Sequence, residues 1–496
     1  MIWLVLIFLF IITFFSTTGA GIGSSAFHYG FFIGPIFEIL HGHSYPLTLD
    51  LQYGWGLTAF LAVYYKLLGS VTLLGMQNLL KILAFLQYSL IFFIASALYQ
   101  SRKIALLALG AILFFNFYSQ GDLYYTCPSI GFLRFGFIYL ILFTWVCEGK
   151  WISEKSSFII VSILGSLSFV WSFESAVYTL PALFFAEYIQ HSFKKFLPIF
   201  LACFSCIILA YLAPMLFYGQ WPELWRYYEY PLLYASGFGQ VPLTRYFNAW
   251  WFFPLLYGFL SIKIISGSIS NRFVSALTVY GMLLFTYYGG RAEPNNLFHV
   301  AIPFILLSIY LVINLNPLTK TSRQVLLAML LVAYCSIEMA WDSHSLVAEN
   351  IWKKNLPLLK HSLLTLAADR DSQLNVNACI DYQPLYKYIE NNSIALISDD
   401  ENIYRFYDCT KTHNAFGLNP YAEIAINPKA TQRIAARATA STNKFLLVDA
   451  QLIQHKTDRY NSHLATSILE SFATEKIGEL KIGATTFVLL RNQKIV

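Results

Sequence analysis

From Ile2 to Trp341 the chain is a nearly unbroken succession of apolar segments, with one longer stretch, 17–77, after the first. The first, 2–16 (IWLVLIFLFIITFFS), carries no charge. The others run over 78–99, 104–118, 134–147, 157–171, 176–190, 198–218, 249–265, 273–288, 297–315 and 325–341, which makes eleven in all. Backbone buried in lipid has no water to bond, so each segment is expected to be a helix that closes its own hydrogen bonds. Several are shorter than the roughly 20 residues a bilayer requires; these must extend into flanking aromatics or be buried in the bundle. Only 12% of the residues are charged, against about 25% in soluble domains. The charges are also uneven: 16 of the 33 Lys/Arg and 11 of the 27 Asp/Glu precede Asp342, and the rest crowd into the last 155 residues. The expected fold is an all-α polytopic membrane domain over 1–341, followed by a small α/β soluble domain over 342–496. The net charge of +6 does not point to nucleic acid, because half of the basic residues sit in short loops, where they set topology.

Those loops divide into two sets. One set holds Arg102-Lys103, Lys150 and Lys155, Lys194-Lys195, Lys263 and Arg272, and Lys320 and Arg323, and is expected to be cytoplasmic. The alternate loops, around 119–133, 172–175, 219–248 and 289–296, hold only Arg226, Arg245 and Arg291, with Arg134 at a border. Thr17-Thr18-Gly19-Ala20 is a poor cleavage site because no basic residue precedes the apolar run, so the first segment reads as a retained span. Parity then places the N-terminus inside, and the 17–77 loop and the tail outside.

That first outer loop is the most structured-looking stretch of the chain. His28 to Gly69 (HYGFFIGPIFEILHGHSYPLTLDLQYGWGLTAFLAVYYKLLG) contains two apolar aromatic runs, 31–40 and 55–68, separated by turn formers at Gly42, Pro46 and Gly54. Runs of 10–14 apolar residues lie along an interface more readily than they cross one. The acids Glu38 and Asp50, the histidines His28, His41 and His43, and Tyr53 make this loop the first place to look for a site. The histidines lack the local acid and histidine spacing that would complete a metal site, so no metal or other cofactor is expected; a divalent cation elsewhere is left open.

Three further outward stretches look like parts of a site. GDLYYTCPSIGFLRFG (121–136) pairs Asp122 with Arg134 across a Pro-Ser turn. VWSFESAVY (170–178) sets Glu174 in a short loop between Trp171 and Tyr178. YYGGRAEPNNLFH (287–299) puts Arg291 and Glu293 in a tight turn ahead of His299. Acids at a membrane edge are costly to desolvate and so mark functional candidates. A guanidinium at such a turn suits a phosphate, to which it offers forked donors.

FIGPIFEILHGHSYPLTLDLQYG, PSIGFLRFG, WSFESAVYTL and GGRAEPNNLFH, with a membrane part ahead of a soluble tail, resemble integral-membrane glycosyltransferases of the GT-C superfamily. That superfamily includes protein mannosyltransferases and lipid A aminoarabinose transferases, and the likeness, to bacterial members, covers about 1–320. The resemblance implies membrane-parallel helices in the first outer loop and a periplasmic tail in a bacterial inner membrane. It also implies a polyprenyl-phosphate-linked sugar donor and a loop carboxylate as base, with a glycan, lipid or protein as acceptor. Such enzymes carry an acid soon after the first span, but Ser24-Ser25-Ala26-Phe27-His28 has none, which leaves Asp50 and Glu38. Asp50, just before Gln52-Tyr53-Gly54, is the first choice for base; Glu38 falls in an expected helix and would instead brace the loop. Arg291 and then Arg134 are the phosphate candidates.

Two other classes compete with this reading. A transporter or flippase of lipid-linked saccharide would show inverted repeats and charges near the midplane, and neither is visible in the sequence. A non-catalytic membrane scaffold would account for the missing early acid. In the tail, strands are expected at Ser393–Ser398, Lys444–Val448 and Thr485–Leu490, with a helix over Pro428–Thr439. Cys379 and Cys409 would be either bridged, as an outward tail permits, or two free thiols.

Overall fold

The computed structural model describes residues 2–15, 26–40, 51–118 without 70 and 72, and 131–314 without 220, 222, 238–242, 244–248, 291 and 293. In the tail it describes 382–398, 403–416, 428–454, 466, 468–469, 474–483 and 485–492. The chain falls into two compact units: Met1–Ala20 with Asn78–Trp221 and Tyr234–Thr365, and Gly21–Gln77 with Pro222–Leu233 and Leu366–Val496.

The first unit is helical. Its elements are α1 (Ile2–Phe15), most of α4 (Leu73–Tyr99), α5 (Arg102–Tyr118), α6 (Phe132–Phe135), α7 (Phe137–Cys147), α8 (Glu154–Trp171), α9 (Phe173–Tyr218), α11 (Phe252–Ile265), α12 (Arg272–Gly290) and α13 (Pro294–Asn314). Among the described residues, Gly75–Tyr99, Glu154–Trp171, Phe196–Ala213 and Arg272–Gly290 are long and apolar enough to cross a membrane. Further apolar helices are shorter, such as Phe137–Cys147 and Phe252–Ile265. The expected segment at 325–341 lies outside the described residues.

The 46-residue run of α9 is not one straight rod. Sixteen residues of α-helix rise about 24 Å, yet the rings of Phe184 and Phe200 meet at 5.3 Å. The ring of Tyr188 likewise lies 6.2 Å from that of Phe196. The chain therefore doubles back between these residues, where Lys194 and Lys195 stand in the sequence, and α8 packs against both limbs. Gly165 of α8 makes this close packing possible: a Cβ there would lie 3.2 Å from Leu183 Cδ2 on one limb and 3.0 Å from Cys203 Sγ on the other. The second limb turns Phe200, Leu201, Phe204, Leu209 and Leu216 outward, as a lipid-facing helix does.

Two charged clusters mark opposite ends of these helices. At one end Arg272, which opens α12, bonds Glu148 after α7, and shares a cavity with Lys155 of α8 and Glu187 and Pro198 of α9. At the other end Arg134 of α6 meets Glu174 of α9 and Tyr287 of α12.

The second unit joins α2 (Ala26–Leu40), α3 (Trp55–Leu68) and most of α10 (Leu224–Ala235) with the tail. At 14 residues, α3 is about 21 Å long, short of the roughly 30 Å of a bilayer core. It buries Leu57, Leu61 and Tyr65 while exposing Val63, Leu67 and Leu68, the two-faced pattern of an interfacial helix.

The tail is α/β. β2 (Leu396–Ile397) pairs in parallel with β4 (Phe445–Asp449), which continues antiparallel to β6 (Thr485–Asn492) and on to β5 (Thr474–Ile482). β1 (Ser393–Ile394) and β3 (His413–Asn414) form a separate parallel pair. The single strand expected over Ser393–Ser398 is thus two short strands in different sheets, parted at Ala395. Between β2 and β4 lie α14 (Ile403–Thr410) and α15 (Pro428–Ala440); α16 (Ala450–Gln454) follows β4. Ala430, Ile434 and Ala438 of α15, four residues apart, pack into a core with Ile397, Leu446 and Val448.

Candidate functional site

In the helical unit the sequence candidates Arg134 and Glu174 come together. Ser172 caps α9 by accepting the Ser175 amide proton at 3.1 Å, which sets Glu174 in the first turn, where the helix dipole favours an acid. α6 ends at Gly136, where a Cβ would lie 2.5 Å from the Phe132 carbonyl oxygen, so the chain restarts as α7 on a new course. Two outside groups hold this junction: Trp171 Nε1 donates to the Leu133 carbonyl at 2.6 Å, and the Tyr280 hydroxyl donates to that of Phe135 at 3.0 Å.

The Arg134 guanidinium donates to Glu174 Oε1 at 2.9 Å, and the two side chains are only 8% and 18% exposed. It also lies 4.8 Å from the Phe135 ring centroid and 5.0 Å from that of Tyr287. The cation is thus balanced by one carboxylate and flanked by two aromatic faces, in a place largely closed to water. Asp122, Arg291 and Glu293, expected nearby, lie outside the described residues.

In the second unit Glu38 is fixed from the tail. It sits in α2, 3% exposed, and accepts the Asn414 amide proton through Oε1 at 3.4 Å. Asn414 is itself held: its Nδ2 donates to the Leu396 carbonyl at 2.6 Å and to the Tyr407 hydroxyl at 2.9 Å, and its Oδ1 accepts from the Phe416 amide at 2.9 Å. Burial pushes the Glu38 carboxyl up to about 8, while the Asn414 amide and the Arg437 charge only partly offset it. Burial likewise holds the Tyr407 hydroxyl in its neutral form, against the Asn414 hydrogen bond and with the help of Glu38. A carboxyl so deeply enclosed is better placed to brace two segments than to reach an acceptor hydroxyl.

One helix of the tail touches both outer loops. On α15, Lys429, Arg433 and Arg437 recur every four residues and so share a face. Lys429 Nζ lies 5.1 Å from the Trp225 ring centroid, and Arg433 makes a forked pair with Glu229, at 3.0 Å to Oε1 and 2.7 Å to Oε2. Arg437 supplies its charge to Glu38. Glu38 stands out in the sequence as an outward acid, but Arg433 and Arg437 do not stand out as partners; the four-residue spacing of basic residues on a predicted helix is the available signal.

Tyr53 is buried, its ring stacked on Phe32 at 4.6 Å and 10°. Asp50, His41, His43 and the side chain of His28 lie outside the described residues. Among the described residues no three His, Cys, Asp or Glu side chains gather as a metal site. Cys409 is disulfide-bonded, and Cys379, its expected partner, lies outside the described residues. The chain matches none of the known protein-family models and none of the curated proteins compared with it.

Proposed function

We propose that the chain is a membrane glycosyltransferase of the GT-C kind. It would move a sugar from a polyprenyl-phosphate donor to an acceptor on the outer face of a bacterial inner membrane. The observation that carries this reading is the second unit itself, in which the outer-loop helices α2, α3 and α10 are built together with the tail around buried polar contacts. A transporter would place its charges near the midplane, whereas the ion pairs of the helical unit, Arg134–Glu174 and Arg272–Glu148, lie at helix ends. Eleven spans with the N-terminus inside and the tail outside fit the sorting of the loops, and a disulfide at Cys409 suits an oxidising compartment.

In this reading Asp50 takes the proton from the acceptor hydroxyl as its oxygen attacks the anomeric carbon. The bond from that carbon to the phosphate oxygen breaks, and the lipid phosphate leaves with its charge met by Arg291 and Arg134. Glu38 braces the loop that carries Asp50. The test uses a polyprenyl monophosphate and the corresponding phosphate-free polyprenol, titrated onto the purified chain and followed by native mass spectrometry. The phosphate should raise affinity, and Arg134→Gln should lower it by about tenfold, the worth of a charged hydrogen bond. Equal affinity for both lipids would remove the proposed donor.

A further inference from the structure

The polarity of α10 is reversed. At 3.6 residues per turn, Trp225, Tyr228, Leu232 and Ala235 fall within about a quarter-turn of one another. Trp225 and Leu232 are 58% and 50% exposed, Ala235 is exposed and Tyr228 is half-buried. The two charges of the helix stand elsewhere. Glu229 is buried against Arg433 of α15, and Arg226, itself mostly covered, pairs with Glu223 at 2.6 Å. A helix that faces water turns its charges outward and its large apolar side chains inward. On α10 the exposed arc carries no charge, and the covered side carries both.

Only 219–223 separate α10 from the end of α9, whose stretch Phe196–Ala213 is long and apolar enough to cross a membrane. A connection that short reaches roughly 20 Å at most, so α10 cannot begin far from the lipid boundary. Its own 12 residues are about 18 Å long, too short to cross the roughly 30 Å of a bilayer core. Trp and Tyr are the side chains that settle at the level of lipid headgroups, with the apolar body inward and the N–H or O–H toward water. We propose that α10 lies on a lipid bilayer, with Trp225, Leu232 and Ala235 in the boundary between headgroups and acyl chains. Lys429 and Arg433 of α15 hold α10 through Trp225 and Glu229, so the same contact seats the tail at the membrane surface. This placement concerns the 219–248 loop, not the 17–77 loop whose helices the resemblance lays on the membrane, and it does not depend on the transferase reading.

The test is photolabelling of the full chain, one copy per lipid nanodisc, by a phosphatidylcholine with a diazirine near the top of its acyl chain. Mass spectrometry then locates the labelled peptides. The 224–235 peptide should be labelled along with 204–216 of α9, whereas exposed Ile477 of β5 should not. Leu232→Asp puts a charge at an exposed position, so the thermal midpoint should hold. Labelling of 224–235 should meanwhile fall about tenfold, the worth of withdrawing one leucine side chain from apolar surroundings. Should that variant shift the midpoint, the uncharged Leu232→Asn serves in its place. Ile477→Asp should leave the labelling unchanged. An unlabelled α10 beside a labelled α9, the result if the arc faces water or another protein, would overturn the proposal. Full labelling of α10 in the Leu232 variant would overturn it too.

Discussion

A carboxyl that burial lifts to about 8 ties stability to pH in the sense opposite to an ordinary salt-bridged acid. Folded, Glu38 keeps its proton up to about 8; unfolded, it loses it near 4.5. Between those values the folded chain binds more protons than the unfolded one, so stability falls as pH rises, and the loss is complete above the upper value. Glu38→Gln imitates the protonated form. Its thermal midpoint should therefore vary less across this window than that of the unmodified chain, and should exceed it at alkaline pH. Parallel pH slopes would show that Glu38 does not titrate as its burial implies. Gly136→Ala belongs to this scale too. Its methyl must move backbone, since the obstacle is the Phe132 carbonyl, and a cost of about 1–3 kcal/mol is expected in thermal unfolding. The sequence displayed Glu38, Arg134 and Glu174 as candidates because charge in an apolar chain is conspicuous. It did not display Asn414 or Tyr407, whose role comes from contacts 376 residues apart in the case of Glu38 and Asn414.

Among the elements, α15 shows what local pattern reveals and what it hides. Its bounds agree closely with the expectation, because Ala430, Ile434 and Ala438 mark an apolar stripe at helical spacing. The neighbouring stripe of Lys429, Arg433 and Arg437 reads as a solvated face until its partners on α2 and α10 are known. Glu229 is 9% exposed, so Arg433→Ala leaves a buried carboxylate without its fork, and about 2 kcal/mol should be lost, less than for a fully buried pair because Arg433 is itself partly exposed. A double-mutant cycle with Glu229→Gln should return a coupling of similar size; simple additivity would mean that the pair holds nothing together. The turn within α9 was legible from Lys194-Lys195 between two apolar runs. β5 was not, since Thr474–Ile482 alternates weakly and finds its place only against β6.

For the whole molecule, hydropathy and charge announced a helical membrane part and an α/β tail, because both follow from composition along the chain. The grouping of 21–77 and 222–233 with the tail was beyond such a reading, for it is set by long-range pairs such as Glu229–Arg433. Reporter fusions at Lys194 and Asn392 should report opposite sides of the membrane; a shared side would undo the outward placement of the loop and tail. The central claim is that an outward carboxylate drives sugar transfer, and it is tested most directly by assaying Asp50→Asn beside the unmodified chain, with polyprenyl-phosphate-linked sugars presented in vesicles. The substitution nearly preserves shape while removing the proton acceptor, so transfer should fall by roughly 10²–10⁴-fold while binding of polyprenyl monophosphate persists. Transfer by Asp50→Asn at the full rate would contradict the account.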